Sequence, residues 1–155
     1  MKLGMPNNKG YFVDEIRRIL QLLQEYDSAR KEYQRLLRAG GWDVTGPQVG
    51  VLRIVNTHPG ISISELAEKM SIHITTAEGY AQRLSRLGYV TIKEDPGDRR
   101  RKIIVNTEMG MSIIKEVPLG YKSLLVHNLA KAGIEERKAI VTGLEYLIQH
   151  MKEHN

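Results

Sequence analysis

The sequence predicts a mostly α-helical chain carrying one small β-hairpin, on three observations. Apolar residues recur at steps of three and four over most of the chain, which is the helical period. Two capping boxes, Thr45 to Gln48 and Ser62 to Glu65, open short helices in the middle of the sequence. A pair of period-two stretches flanks a polar tip, Asp95-Pro-Gly-Asp-Arg-Arg-Arg101, the pattern of two strands and a turn.

In chain order, Met1 to Lys9 is polar, with Gly, Pro and two Asn, and reads as a loose tail. From Tyr11 to Arg38, the residues Phe12, Ile16, Ile19, Leu23, Tyr26, Tyr33 and Leu37 form one apolar stripe. A helix of that span reaches about 42 Å at 1.5 Å per residue. Its own domain offers too little to cover it, so a partner chain is expected to do so. Gly40 and Gly41 end it. The helix opened by Thr45 carries Val49, Leu52, Ile54 and Val55 and stops before Pro59-Gly60. The one opened by Ser62 runs to Met70 with Ile63, Leu66 and Ala67 inward. After the turn Ser71-Ile72-His73, a helix from Ile74 to Leu87 is expected to bury Ile74, Ala77, Ala81, Leu84 and Leu87, with Gly88 at its end.

The strands are expected at Tyr89 to Lys93, with Val90 and Ile92 on one face, and at Lys102 to Asn106, with Ile103 and Val105 on one face. Thr107 caps a second long helix carrying Ile113, Ile114, Val117, Leu124, Leu125, Val126 and Leu129, which Pro118 should bend. Gly133 breaks that pattern, and a last helix from Ile134 to Lys152 carries Ile140, Leu144, Leu147 and Met151. The expected organisation is a flexible tail over 1–10, an N-terminal dimerisation helix over 11–40, a central module over 41–107 and C-terminal dimerisation helices over 108–155, together one structural domain.

Two short helices joined by a brief turn, the second followed by a hairpin, describe a winged helix-turn-helix. The major groove of DNA is about 12 Å wide and accepts one helix, which the preceding helix braces against the backbone. The second short helix leaves Thr75, Thr76, Gly79, Gln82, Arg83 and Arg86 off its buried stripe. The threonines stand at its start, where base edges are reached, and Gly79 permits a close approach. Ser62, Ser64 and His73 complete the expected contact set of the helix pair and its turn. On the hairpin, Arg99, Arg100, Arg101 and Lys102 are consecutive cations suited to the narrow minor groove. Asp98 before them is placed to orient an arginine. Glu78 is awkward beside phosphate; it accepts from a cytosine amino group or faces away.

Gln48 to Leu52, Ser64 to Met70, Thr75 to Gly88 and Asp95 to Gly110 resemble the multiple antibiotic resistance regulator (MarR) family. The string Asp95-Pro-Gly-Asp-Arg-Arg100 followed by Thr107-Glu-Met-Gly110 looks like that family's signature. The resemblance implies a homodimer whose first and last helices interlock and whose two winged modules read a near-palindrome in double-stranded DNA. It also implies that Asp98 positions Arg100 for the minor groove while the helix from Ile74 reads the major groove. Repression is the commoner behaviour of such proteins and is the expectation here. A small anionic aromatic effector is implied as well. Arg30, on the first helix between Tyr26 and Tyr33, is the candidate for its carboxylate, with Tyr26, Trp42 and Tyr121 as aromatic neighbours. The structural alternative for Arg30 is a carboxylate of the partner chain or an outward reach into water. Asn106 departs from the family, which often has an apolar residue before the threonine.

Composition bounds the function further. The chain has 155 residues, no cysteine and a net charge of +5. Disulfides, thiol sensing and cysteine zinc sites are therefore excluded. The charge is spread as +3 over residues 1–40, +1 over 41–110 and +1 over 111–155, so a DNA-binding face must come from local arrangement. No apolar run approaches the ~20 residues of a membrane span, and Met1 to Gly10 has no signal-peptide core; no membrane partner and a cytoplasmic location are expected. Of the histidines, His150 and His154 share a helical face without a third ligand, so no metal site is expected. His73 is placed for a phosphate, and His127 reads as a partly buried structural residue. No glycine-rich phosphate loop or serine elbow is present, so neither an enzyme nor a cofactor is expected. The competing class is a winged-helix protein-interaction module that does not bind DNA, favoured by Glu78, Gly79 and the weak charge of the middle third.

Overall fold

A computed structural model of the chain describes residues 13–153. The expected tail over 1–10, the stripe residues Tyr11 and Phe12, and His154 lie outside the described residues. The chain divides into two compact units, Met1–Pro118 and Leu119–Asn155.

The first unit opens with α1 (Asp14–Ala39), which carries Asp14 and Glu15 in its first turn and Arg38 in its last, both favourable to the helix dipole. Only Tyr33 and Leu37 of this helix are buried. The stripe above them forms as expected but stays uncovered: Ile16, Ile19, Leu23 and Tyr26 are all exposed. Gly40 and a left-handed Gly41 (φ 79°) end the helix, and the Trp42 ring lies where a Cβ on Gly40 would stand.

Both capping boxes form. Thr45 and Gln48 cap α2 (Gly46–Thr57), and Ser62 and Glu65 cap α3 (Ile63–Met70), with side chain and backbone exchanging bonds in each. Between them lies β1 (Ile61–Ser62), a two-residue strand with no sequence signal of its own. α4 (Ile74–Arg86) follows, then β2 (Val90–Asp95) and β3 (Asp98–Asn106). The antiparallel sheet has the order β1-β3-β2. Its core is Val49, Val51, Leu52, Val55, Leu66, Ala77, Ala81, Leu84, Val90 and Ile104, all buried.

Several expectations are corrected. Ile74 is 47% exposed, because it is the first residue of α4, one position before the turn that packs inward. Leu87 is half-buried. On β3 the fully buried residue is Ile104, with Ile103 and Val105 half-buried, so the core face is the opposite one from that expected. The register explains this: Val90 pairs with Asn106 and Ile92 with Ile104, and strand partners share a face. Asn106 therefore faces inward, where its Nδ2 donates to the Leu52 carbonyl at 2.9 Å. The polar residue thus holds β3 to α2.

The helix expected to bend at Pro118 is instead two helices. α5 (Glu108–Glu116) ends at Val117, which is extended (ψ 137°) as a residue before proline tends to be. Arg53 of α2 donates to the carbonyls of Ile114 and Val117, both at 3.4 Å, and Tyr33 donates to that of Pro118 at 3.0 Å. The carbonyls left free at the break are thus satisfied by side chains rather than by a continued helix. The second unit consists of α6 (Tyr121–Lys131) and α7 (Ile134–Lys152), the latter with the expected bounds. Neither helix has a fully buried residue, and Leu124, Leu125, Val126, Ile140, Val141, Leu144, Tyr146 and Met151 are exposed. His127, expected to be partly buried, is exposed too.

Among the described glycines, Gly110 on α5 makes the closest approach to another stretch of backbone. A Cβ there would stand 2.1 Å from the Tyr89 carbonyl oxygen. Gly110→Ala is therefore expected to lower unfolding stability by about 1–3 kcal/mol, measured by urea denaturation. Gly79→Ala, with nothing within 4 Å of the added carbon, is expected to leave stability unchanged or raise it by up to about 1 kcal/mol.

Candidate nucleic-acid interface

The helix pair owes its shape to the turn between its members. α3 ends on Ser71, whose left-handed conformation (φ 54°, ψ 45°) is unusual for a residue other than glycine. The chain reverses there, and His73 becomes the N-cap residue of α4. Ala77, Ala81 and Leu84 then bury one side of α4 completely. The opposite side presents Thr75, Thr76, Glu78, Gly79, Gln82, Arg83 and Arg86 to solvent. Open space above Gly79 leaves a smooth notch in that side. His73 and Ser64 are exposed as well. Ser62 is not: it is 2% exposed, and its hydroxyl accepts from the Glu65 amide at 3.1 Å. The same capping role that makes Ser62 visible in the sequence withdraws it from the surface.

The hairpin is longer and its loop shorter than the sequence suggests. β2 and β3 extend to Asp95 and Asp98, so only Pro96 and Gly97 lie between them. Asp95 Oδ1 accepts from the Gly97 amide at 2.9 Å, an Asx-type turn. The arginines are thus on a strand rather than on the turn. Between the pairs Glu94–Lys102 and Asp95–Asp98 the register shifts, which leaves residues 99–101 opposite no residue of β2.

That irregular stretch sorts the wing cations. Arg100 is 93% exposed at its side chain; its backbone amide and its Nε both point to Asp98 Oδ1, at 3.0 and 3.3 Å. A carboxylate that grips both amide and guanidinium restricts the directions in which the arginine can point. Arg99 and Lys102 are exposed and form no ion pair among the described residues. Arg101 instead turns back: its Nη2 meets Glu65 Oε1 of α3, and its Nε lies 3.8 Å from Asp95 Oδ2. Sequence reasoning placed Glu65 in a capping box and missed this second partner, which lies 36 residues away along the chain.

The residues proposed for an effector are more dispersed in character. Arg30 is exposed and pairs at 2.9 Å with Asp27 of its own helix. Lys31 and then Arg30, by hydrogen bonding to Asp27, hold its carboxyl below the ordinary value. Tyr26 is exposed, Trp42 is half-buried over Gly40, and Tyr121 is half-buried at the start of α6 in the second unit. Among the described residues no group of three or more His, Asp or Glu is placed to hold a metal ion, and no helix is long and apolar enough to cross a membrane.

A three-helix core, a three-stranded sheet and a hairpin bearing cations make the first unit a winged helix-turn-helix, the class defined by α3, α4 and the β2–β3 wing. Comparison with known proteins narrows the class. The MarR family model matches residues 42–101, from Trp42 to Arg101. The HTH-type transcriptional regulator YfiV of Bacillus subtilis is 30% identical over 105 residues, 68% of this chain and 66% of YfiV. This chain thus spans just under two thirds of that relative's length. The HTH-type transcriptional repressor NicR of Pseudomonas putida is 27% identical over 127 residues, 79% of this chain and 78% of NicR. In fold, the chain is similar to Streptococcus pneumoniae FabT, solved in complex with DNA, with a TM-score of 0.63, 18% identity and coverage of 90% of this chain and 98% of that one. Over residues 42–101 the winged unit matches the MarR family.

Where the wing joins the body, Tyr89 donates to Asp43 Oδ1 at 2.6 Å. Desolvation first, then the hydrogen bond and charge of Asp43, push the Tyr89 phenol up to about 12 from 10.0. Because the folded value is the higher one, folding favours the protonated phenol. That contribution is complete below about pH 10 and is lost as pH rises through about 12. Ultraviolet titration of the wild type against Tyr89→Phe should show the missing phenol ionising last. Asp43→Ala should bring its midpoint back toward 10, and an unmoved midpoint would contradict the assignment.

Proposed function

We propose that this protein is a sequence-specific DNA-binding transcription regulator, a repressor, that acts as a homodimer on a near-palindromic operator. The observation that carries this reading is the pairing of two exposed features on one unit. The side of α4 bearing Thr75, Thr76, Gln82, Arg83 and Arg86 is free of the core, and the wing next in sequence holds Arg100 out into solvent on an Asp98 brace. In the proposed complex α4 enters the major groove. The threonine hydroxyls and Gln82 bond base edges there, and Arg83 and Arg86 neutralise phosphates. Ser64 and His73 reach the flanking backbone. Arg99, Arg100 and Lys102 approach the minor groove, whose negative potential favours an arginine. FabT in complex with DNA and the repressor NicR support the reading by kinship of fold and sequence.

The homodimer is proposed from the uncovered apolar faces. Ile16, Ile19, Leu23 and Tyr26 on α1, and Leu144, Tyr146 and Met151 on α7, are too many apolar side chains for a stable monomer to leave in water. A second copy of the chain covers like with like, as two-fold interfaces do. Release by a small anionic aromatic ligand, with Arg30, Tyr26 and Trp42 of the first unit as its contacts, is a finer reading. It draws support from the ligand complex of PcaV of Streptomyces coelicolor, which shares the fold at a TM-score of 0.60. A cytoplasmic location accords with a chromosomal target.

Binding to fragments of the gene's own upstream region, followed by fluorescence anisotropy against salt, tests the regulator reading. Affinity should fall linearly on a log–log plot with a slope of about −0.9 per phosphate neutralised. Arg100→Ala should weaken binding more than Lys138→Ala, since Lys138 lies on α7, which supplies no residue of the proposed interface. No binding to any fragment, or equal affinities for the two variants, would favour a protein-interaction module instead. Mass measured in solution at micromolar concentration should be that of two chains; a monomer would remove the account given of α1 and α7.

A further inference from the structure

The four cations of the wing are not equivalent, and the difference lies in Glu65. This residue occupies the third position of α3, where its Oε2 accepts from the Ser62 backbone amide at 3.4 Å and closes the capping box. Its other oxygen, Oε1, meets Arg101. Arg101 in turn stands 3.8 Å from Asp95, which also closes the loop through the Gly97 amide. One chain of side chains therefore runs from the start of α3, through Arg101, to the base of the wing loop.

Its position is informative. The β1–β3 pairing ends at Ser62–Ile103, two residues past Arg101 in the chain, and the register shift leaves residues 99–101 without partners on β2. Between its pairs at Lys102 and Asp98 the strand has no partner on either side. A hinge is expected there unless side chains replace the missing ladder. Arg101 lies between two carboxylates and has 44% of its side chain exposed, against 93% for Arg100. A guanidinium already neutralised twice has little charge left to offer a phosphate, whereas Arg100 shares its charge with Asp98 alone.

We propose that Arg101 is a positioning residue which, through Glu65, ties the wing to α3 and fixes the wing's angle, and that the wing cations meeting DNA are Arg99, Arg100 and Lys102. The proposal rests on the DNA-binding reading for its consequence but not for its structure, because the tether exists in the free protein. It also gives Glu65 two separable tasks. Glutamine at this position keeps the capping acceptor and removes the ion pair, so Glu65→Gln isolates the second task.

The test has one arm without DNA and one with it. In the free protein, hydrogen–deuterium exchange of the wing amides should quicken in Glu65→Gln and in Arg101→Ala. The double variant should be no faster than either, while the urea midpoint stays at the wild-type value. Unchanged wing exchange, or additive effects, would overturn the tether whether or not the protein binds DNA. In the salt series, Glu65→Gln should lose about two- to fivefold in affinity, the scale of an exposed ion pair, with the wild-type slope. Arg101→Ala should also keep that slope, whereas Arg100→Ala should make it shallower by about 0.9. If Glu65→Gln binds more tightly, or Arg101→Ala flattens the slope, Arg101 is a phosphate contact and the proposal fails. If the wild type binds no DNA while wing exchange responds as expected, the regulator reading fails and the tether stands.

Discussion

The fold depends on a knot of short bonds where the hairpin is fastened at both ends. Thr107, after β3, donates its hydroxyl to the Gly88 carbonyl at 2.6 Å and its amide to the Tyr89 carbonyl at 3.0 Å. The same hydroxyl oxygen accepts from the Gly110 amide and starts α5. Gly88, with φ 84°, lets the chain pass from α4 into β2 within the three residues Leu87 to Tyr89. The absence of a side chain on Gly110 lets α5 press against that turn. Because α4 ends and the wing begins at this point, the knot sets where the wing departs relative to α4. Any account of the two acting together on one ligand depends on it.

On that base, electrostatics makes distinctions that net charge does not. The whole chain carries only +5, spread thinly, and the wing mixes Glu94, Asp95 and Asp98 with its cations. The carboxylates divide the arginines by role. Asp98 grips Arg100 from below and leaves it projecting, while Glu65 and Asp95 hold Arg101 down. An acidic residue beside a DNA-directed arginine is thus not a contradiction. It lowers the entropy that the arginine would otherwise lose on binding, at a modest cost in attraction.

The helices at the two ends of the chain obey a different logic. α1 buries only its last turns, through Tyr33 and Leu37, and α6 and α7 bury no residue completely. Their apolar faces form as sequence periodicity demands, yet the single chain does not fill them. Arg53 and Tyr33 hold the Pro118 break, where the first unit ends, with bonds to the carbonyls of Ile114, Val117 and Pro118. The polypeptide therefore leaves the winged unit from a fixed exit.

What the sequence determined by itself is what depends on neighbours a few residues apart. Both capping boxes, the ends of α1 at Gly40-Gly41 and of α4 at Gly88, the whole of α7, the exposed side of α4 and a carboxylate at Asp98 placed to hold an arginine were legible from spacing, because their partners lie within one helical turn or a strand turn; that the arginine is Arg100 came from the resemblance. Tertiary structure alone decided what depends on residues far apart. It turned Asn106 inward to meet Leu52, added the two-residue β1 against Ile103 and Ile104, converted the expected bend at Pro118 into a break held by Arg53 and Tyr33, and diverted Arg101 to Glu65. Periodicity cannot give these, because strand register and long-range side-chain pairing are set by how whole elements pack. Shifting a strand's register by one residue exchanges its faces.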